Sequence, residues 1–372
     1  MKLLMITRKV DNHDALAGFA YNWVKKLGAN LNKLYVISWQ AGDSRDLPEN
    51  IEVVFLPKNK FAKIFILPWE VFKLALKVDG VFCHMNPEYT ILSWLPAKIF
   101  GKRIVSWYTH KQINWKRRLL ELLTDKILTA SKDSFRQPWF KNKVEVTGHG
   151  IDIEQFKTQN SPPEADAPLA QKLKINEDFN IISVGRISPT KDYESIIKAL
   201  DILGNKQIHL VKSGEAGLPE VKFNRVKLKI IGDVILEVQR QYLDSLKQMV
   251  VAMDLGQQVE FVGWVANQQM PPYYQEADLF INMSGTGSVD KVVLEAMACQ
   301  CLVLTSNEAF REILPKELMV EKNNPQKLAE KIKWLMDLPA EEKEAIIKSL
   351  RKIVVNDHNL DKLVLKIINQ FK

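Results

Sequence analysis

Short runs of consecutive apolar and β-branched residues alternate along this chain with longer stretches in which apolar residues recur every three or four positions. The first pattern predicts strands buried on both faces, and the second predicts helices that cover them. In the first half, strands are predicted at Lys2 to Thr7, Lys33 to Ser38, Ile51 to Leu56, Gly80 to His84, Arg103 to Trp107, Lys126 to Ala130 and Val144 to Thr147, with a helix from about Ala15 to Leu31 after the first of them. From Thr158 to Leu169 the chain reads Thr-Gln-Asn-Ser-Pro-Pro-Glu-Ala-Asp-Ala-Pro-Leu, too polar and proline-rich for an element interior, so a linker belongs there. Strands are then predicted again at Phe179 to Val184, Ile208 to Lys212, Lys227 to Ile231, Val259 to Val262, Leu279 to Ile281 and Leu302 to Thr305. The expected class is α/β, with two Rossmann-like domains over residues 1–160 and 170–355. A last helical stretch within residues 356–372 is expected to pack back toward the first domain. Two such domains make an interdomain cleft into which the carboxyl ends of both sheets point, and function is sought in the loops there.

Composition narrows the setting. The chain has 372 residues, 46% of them hydrophobic, which is enough for two cores. No apolar run reaches the roughly 18 to 20 residues of a membrane span, and the opening Met1 to Ile6 meets Thr7-Arg8-Lys9 too soon for a secretory leader, so a cytoplasmic protein is expected. Cys83, Cys299 and Cys301 sit in apolar surroundings without a pairing pattern and read as reduced core residues. The formal charge of +8 suggests an anionic partner, such as nucleotide-sugar phosphates, an anionic membrane face or nucleic acid, although a mild lysine excess is also common on ordinary surfaces. Nucleic acid is set aside, because no recognisable module interleaves basic and aromatic residues for base readout.

Two segments carry candidate chemistry. In Val184-Gly185-Arg186-Ile187-Ser188-Pro189-Thr190-Lys191 a strand ends in glycine and two cations flank a turn before a helix. Gly185 lets a ligand approach the backbone, the Arg186 fork suits phosphate oxygens and Lys191 adds a point charge near the helix start. The plain alternative is an exposed loop with solvated cations. In Ser284-Gly285-Thr286-Gly287-Ser288-Val289-Asp290-Lys291 a small-residue loop enters a helix, where Gly287, Ser288 and Lys291 can offer amides and charge to an anion. Glu295, about two turns in, can accept hydrogen bonds from ribose hydroxyls. Its plain alternative is pairing with a neighbouring lysine.

In order and spacing, Gly185-Arg186 with Lys191, Glu260-Phe261-Val262-Gly263-Trp264 followed by Tyr274 and Ala277-Asp278-Leu279-Phe280, and Leu294-Glu295-Ala296-Met297-Ala298 resemble family 4 retaining glycosyltransferases of the GT-B fold. Gly18, His110, Thr129-Ala130-Ser131 and Gly148-His149-Gly150-Ile151-Asp152 extend the resemblance into the first half. The resemblance implies that Arg186 and Lys191 bind a donor diphosphate, that Glu295 holds the ribose, that Gly18 lets its loop reach the phosphates on closure, and that His110 stands beside the transferred sugar. The family usually carries a first glutamate eight positions before the second, and this chain has Gly287 there. The pair Asp290-Lys291, with the opening Lys9-Val10-Asp11-Asn12-His13-Asp14, is similar to a variant subgroup. It implies Asp290 on sugar hydroxyls and Lys291 on phosphates, with helix capping by Asp290 as the alternative.

The implied reaction moves a sugar from a nucleotide-diphosphate sugar to a glycan or lipid-linked acceptor, as in cell-envelope polysaccharide synthesis. Cations and a helix N-terminus can stabilise the leaving diphosphate. With no Asp-x-Asp at a strand end and no His/Cys cluster of ligand spacing, no metal and no cofactor beyond the donor substrate is expected. A sugar-nucleotide epimerase of the same fold and a non-catalytic nucleotide-sugar-binding protein are the competing readings. The stretches Lys58 to Trp69 and Trp115 to Leu120 mix lysines with aromatics and fit either a peripheral station at the inner membrane face or ordinary helices with solvated lysine stems.

Overall fold

A computed structural model describes residues 1–12, 14, 18–157, 178–212, 225–234 and 236–372. The chain divides into two compact units, the first holding Met1–Asp152 with Asn356–Lys372 and the second Ile153–Val355. The linker expected from Thr158 to Leu169 lies outside the described residues, as do 15–17 at the start of the first predicted helix.

Unit 1 is a seven-stranded parallel sheet in the order β3-β2-β1-β4-β5-β6-β7. The strands are β1 (Lys2–Lys9), β2 (Lys33–Gln40), β3 (Ile51–Phe55), β4 (Gly80–His84), β5 (Arg103–Trp107), β6 (Lys126–Thr129) and β7 (Val144–Val146). The unbroken run Leu3-Leu4-Met5-Ile6 has no polar alternation because β1 is central and covered on both faces. Right-handed crossovers put α1 (Gly18–Ala29) on one face and α2 (Lys60–Ala75), α3 (Pro87–Ile99) and α4 (Trp115–Leu123) on the other. Accordingly α2 packs on α3 and α3 on α4, while α1 packs on the C-terminal helix α11 (Leu360–Asn369). Leu67, Val71 and Leu74 of α2 join Leu4, Ile6, Val81 and Ile104 of the sheet in one core cluster.

Unit 2 is a five-stranded parallel sheet in the order β10-β9-β8-β11-β12, with β8 (Asp178–Val184), β9 (Arg225–Ile231), β10 (Val259–Gly263), β11 (Leu279–Asn282) and β12 (Leu302–Thr305). Its helices are α5 (Tyr193–Lys212), α6 (Arg240–Ala252), α7 (Met270–Glu276), α8 (Lys291–Ala298), α9 (Pro325–Asp337) and α10 (Ala340–Asp357). The strand expected at Ile208 to Lys212 is not formed; α5 runs through it. Gly204 does not stop the helix before that run, since an interior glycine costs only about 1 kcal/mol and Lys206 and Gln207 favour helix. Cys83, Cys299 and Cys301 are buried thiols, none in a disulfide.

Each sheet reverses its strand order once, between β1 and β4 and between β8 and β11. The crevice outside the carboxyl ends at such a reversal is where open α/β sheets bind ligands. In unit 2 the two loops at that place are residues 185–192 and 283–290.

Candidate functional site

The site in unit 2 begins where β8, β9 and β10 each end in glycine with positive φ: Gly185 at 155°, Gly232 at 139° and Gly263 at 86°. The Gly185 amide donates to the Ile231 carbonyl at 2.9 Å and the Gly232 amide to the Gly263 carbonyl at 2.8 Å. A Cβ on Gly232 would lie 1.9 Å from the Gly185 oxygen, so only glycine lets these strand ends close up.

Past Gly185 the chain makes a short 3-10 turn, Pro189–Lys191, and enters α5 at Tyr193, whose hydroxyl donates back to the Gly185 carbonyl at 3.0 Å. That closure folds Lys191 inward beside Gly185, where a Cβ would stand 3.3 Å from Lys191 Cε. Lys191 is 9% exposed, and its ammonium lies 3.1 Å from Asp290 Oδ2 and 3.3 Å from Ser284 Oγ. The Gly285 amide donates to the Thr190 carbonyl at 2.9 Å, tying the two crevice loops together.

Asp290 occupies the N-cap position of α8, yet its side chain makes no capping bond. The carboxylate is held by Lys191 and by Asn307 Nδ2 at 3.2 Å, and the same Asn307 amide group donates to the Ser288 carbonyl at 2.7 Å. The capping alternative for Asp290 is thereby corrected: a buried ammonium outcompetes neutral amides for the carboxylate. Among the described residues the amides of Gly287, Ser288 and Val292 have no hydrogen-bond partner. They remain available to an anion at the helix start.

Lys291 is the first residue of α8, and burial pushes its pKa down to about 7 against the opposing pull of Glu295. Glu295, 5% exposed, accepts from Asn267 Nδ2 at 3.1 Å and from the Tyr274 hydroxyl at 3.1 Å. Burial raises its pKa, while Lys291, Tyr274 and Asn267 act in the other direction. An ammonium at the positive end of a helix is electrostatically misplaced, and an incoming anion relieves both. Chemically, the cluster is a preorganised anion holder with a carboxylate at its edge.

Lys191, Asp290 and Lys291 are thus gathered with Gly185, Gly287 and Ser288 at one crevice, and Glu295 lies one turn into α8. Arg186 is exposed and makes no ion pair among the described residues. Gly18 and His110 belong to unit 1. Gly18 is the first residue of α1 rather than a loop residue, and its amide donates to the Asp14 carbonyl at 2.9 Å. His110 follows β5, exposed, with its ring edge-on to Tyr108 at 5.3 Å; crowding by neighbouring protein lowers its pKa. Asn307 and Asn267, which hold the two carboxylates, carry no signal in the sequence beyond their turn-forming character.

The family Glycosyl transferases group 1 matches residues 167–353, half of the chain. The chain belongs to this family. Mannosylfructose-phosphate synthase of Agrobacterium fabrum is 28% identical over 118 residues, covering 32% of this chain and 23% of that protein. The alpha-monoglucosyldiacylglycerol synthase of Streptococcus pneumoniae is 26% identical over 184 residues, covering 48% and 36%. The chain therefore spans little more than a third, at most, of these curated relatives' length. Among solved structures, Anabaena HepE in complex with UDP and glucose superimposes over 100% of this chain and 99% of its own with a TM-score of 0.72 at 17% identity. The fold is GT-B.

Proposed function

We propose that this glycosyltransferase transfers a sugar from a nucleotide-diphosphate sugar to a glycan or lipid-linked acceptor, with retention of anomeric configuration and without a metal. The observation that carries the reading is the meeting of Lys191, Lys291 and unpartnered amides at the start of α8, at the strand-order reversal of unit 2. As the sugar–phosphate bond breaks, negative charge grows on the leaving diphosphate, and fixed cations and amides aimed at it stabilise that charge. Lys191 and Lys291 take the phosphate oxygens, joined by Arg186 from its exposed turn. Gly185, Gly287 and Ser288 let the backbone come close. The donor's sugar hydroxyls then replace Lys191 as partners of Asp290, which supplies the carboxylate missing at Gly287 as in the Asp-Lys variant subgroup. Glu295, fixed by Asn267 and Tyr274, accepts from the ribose. The donor is a substrate, and the reading needs no cofactor.

Residues 170–355 serve the donor in this reading, and residues 1–160 with the segment 356–372 serve the acceptor. His110 keeps the role the family resemblance implies, while Gly18, as the first residue of α1, would bring a helix start rather than a loop to the phosphates. A lipid-linked acceptor, hence an envelope glycan and a peripheral place at the cytoplasmic membrane face, draws support from the name of the pneumococcal relative, which refers to a glucosyldiacylglycerol. Among the described residues no helix is long and apolar enough to cross a membrane.

The test is product analysis with UDP-, GDP- and ADP-sugars in EDTA, with lipid extract as acceptor. A glycosylated lipid or glycan whose anomeric proton coupling matches the donor's configuration is expected. An inverted product, a strict metal requirement, or conversion of donor alone to its epimer contradicts the reading.

A further inference from the structure

The exposed apolar surface of this chain is unevenly spread. Of the twenty large hydrophobic side chains exposed among the described residues, sixteen belong to unit 1 and four to unit 2. Ten of the sixteen lie on the three adjacent helices of one face: Phe61, Ile64, Phe65, Trp69 and Phe72 on α2, Trp94, Leu95 and Ile99 on α3, and Trp115 and Leu122 on α4. Phe61 is 78% exposed, Phe65 76% and Trp115 67%, although α2 already supplies a full core stripe of its own through Leu67, Val71 and Leu74. Unit 1 does not need these side chains for its core, and patches of this kind mark interaction sites.

A cavity of about 570 Å³ opens beside this patch. It lies where α2, α3 and α4 begin, at the carboxyl edge of the sheet, and its walls include Trp39, Ile64, Tyr89, Leu92 and Trp115. The walls are apolar and the rim is cationic. Lys60 and Lys116 line the opening, the latter paired at 2.7 Å with Glu88. Lys63 is buried, with its ammonium donating to the Trp39 carbonyl at 2.5 Å and standing 4.9 Å from the Trp39 ring centroid. It has no carboxylate partner among the described residues. From Lys58 to Lys77 there are five lysines and one acid, Glu70; from Lys111 to Arg118 there are four cations, of which Arg117 and Arg118 pair with the buried Glu121, the other two being Lys111 and Lys116.

An apolar cavity with a cationic rim, set in a field of exposed aromatics, matches one kind of molecule: an amphiphile with a hydrocarbon tail and a phosphate head. We propose that the cavity at the start of α2, α3 and α4 binds the tail of a phosphate-bearing lipid, with Lys60 and Lys116 at its phosphate and the exposed aromatics in the surrounding lipid surface. This identifies where a lipid-linked acceptor would be held and rests on the acceptor reading above. Lysines near an anionic lipid surface and rings at headgroup depth contribute together, the first through charge and the second through buried apolar area.

The test uses the full chain without any donor, so that its outcome is separate from that of the transfer assay. Binding is measured to monomeric dihexanoyl phosphatidylglycerol, to glycerol phosphate, and to vesicles of phosphatidylcholine with and without phosphatidylglycerol. Expected are binding of the short-chain lipid but not of glycerol phosphate, and vesicle binding that requires phosphatidylglycerol. Ile64→Glu and Trp115→Glu, both at exposed positions, weaken lipid binding by about tenfold or more, because each puts a carboxylate where the tail must lie. Lys60→Ala weakens it about fivefold. Val251→Glu, equally exposed on unit 2, changes nothing, and an unchanged melting temperature certifies that each variant is folded. The proposal is overturned if glycerol phosphate binds as well as the lipid, or if Ile64→Glu and Trp115→Glu bind lipid like the wild type. It is equally overturned if sedimentation shows the patch holding two copies of the chain together and Ile64→Glu separates them without any loss of lipid binding.

Discussion

Lys291 stands where helix electrostatics least favours an ammonium, and burial has already carried its pKa down to about 7. A bound diphosphate raises that pKa, so donor binding takes up a proton whenever the free protein is neutral at this position. Affinity is then highest below pH about 7 and falls as pH rises beyond it, a slope that titration calorimetry in buffers of differing ionisation heat detects and that Lys291→Gln abolishes. Asn307 touches Asp290 and the Ser288 carbonyl, acting as a positioning residue. Asn307→Ala is expected to lower kcat by about tenfold to a hundredfold while the donor Kd changes little, since a displaced carboxylate damages alignment more than binding. Steady-state kinetics beside direct binding separates this from general loosening, which would weaken both. Gly185, Lys191 and Glu295 are legible in the sequence because a glycine at a strand end and a carboxylate inside a helical period announce backbone features. Asn307 is not, because its bond to Asp290 spans seventeen positions and leaves no trace in local periodicity.

Among the elements of unit 2, the contact between strand ends is a tight constraint, with a Cβ on Gly232 only 1.9 Å from the Gly185 oxygen. With its Cβ aimed at the Gly185 carbonyl, Gly232→Ala is expected to destabilise unit 2 by about 3 kcal/mol, seen as a lower urea midpoint; a midpoint unchanged from wild type shows that β8 and β9 can part without penalty. Twelve of the thirteen strand positions predicted from apolar runs correspond to strands of the two sheets within a few residues, because parallel strands buried on both faces have no polar alternation to blur them. The miss at Ile208 to Lys212 has the same origin. A short apolar run without a strong breaker reads equally well as strand or helix, and Tyr193 to Leu203 had already committed the backbone to α5. Strand order, which creates the crevice at β8 and β11, is a property of long-range pairing that no window of sequence contains.

At the scale of the whole molecule, the chain ends by returning to the unit where it began. Leu360, Leu363, Val364, Ile367 and Ile368 are buried on α11, and Phe371 fills the space beside Gly80. At about 1.5–3 kcal/mol for each buried side chain, this segment is on the scale of a whole domain's stability. A chain ending at Val355 is therefore expected to lose the cooperative unfolding of unit 1, as followed by tryptophan fluorescence. Within the same segment His358 accepts a hydrogen bond at Nδ1 from the His149 amide at 2.9 Å, and burial pushes its pKa down to about 4. The folded state keeps it neutral, so its stabilising contribution is complete above pH about 6.5 and is lost as pH falls toward about 4, on the order of 3 kcal/mol in all. Denaturant midpoints across that range check this, and His358→Gln should flatten the dependence. The cationic crevice of unit 2 is tested most directly by calorimetric titration of UDP-, GDP- and ADP-sugars into the wild type and Lys191→Ala in the presence of EDTA. At least one donor is expected to bind the wild type without metal, and Lys191→Ala to weaken it about tenfold to a hundredfold, the worth of a charge-assisted hydrogen bond. Binding of none of them, or equal binding by the variant, would contradict a donor site there.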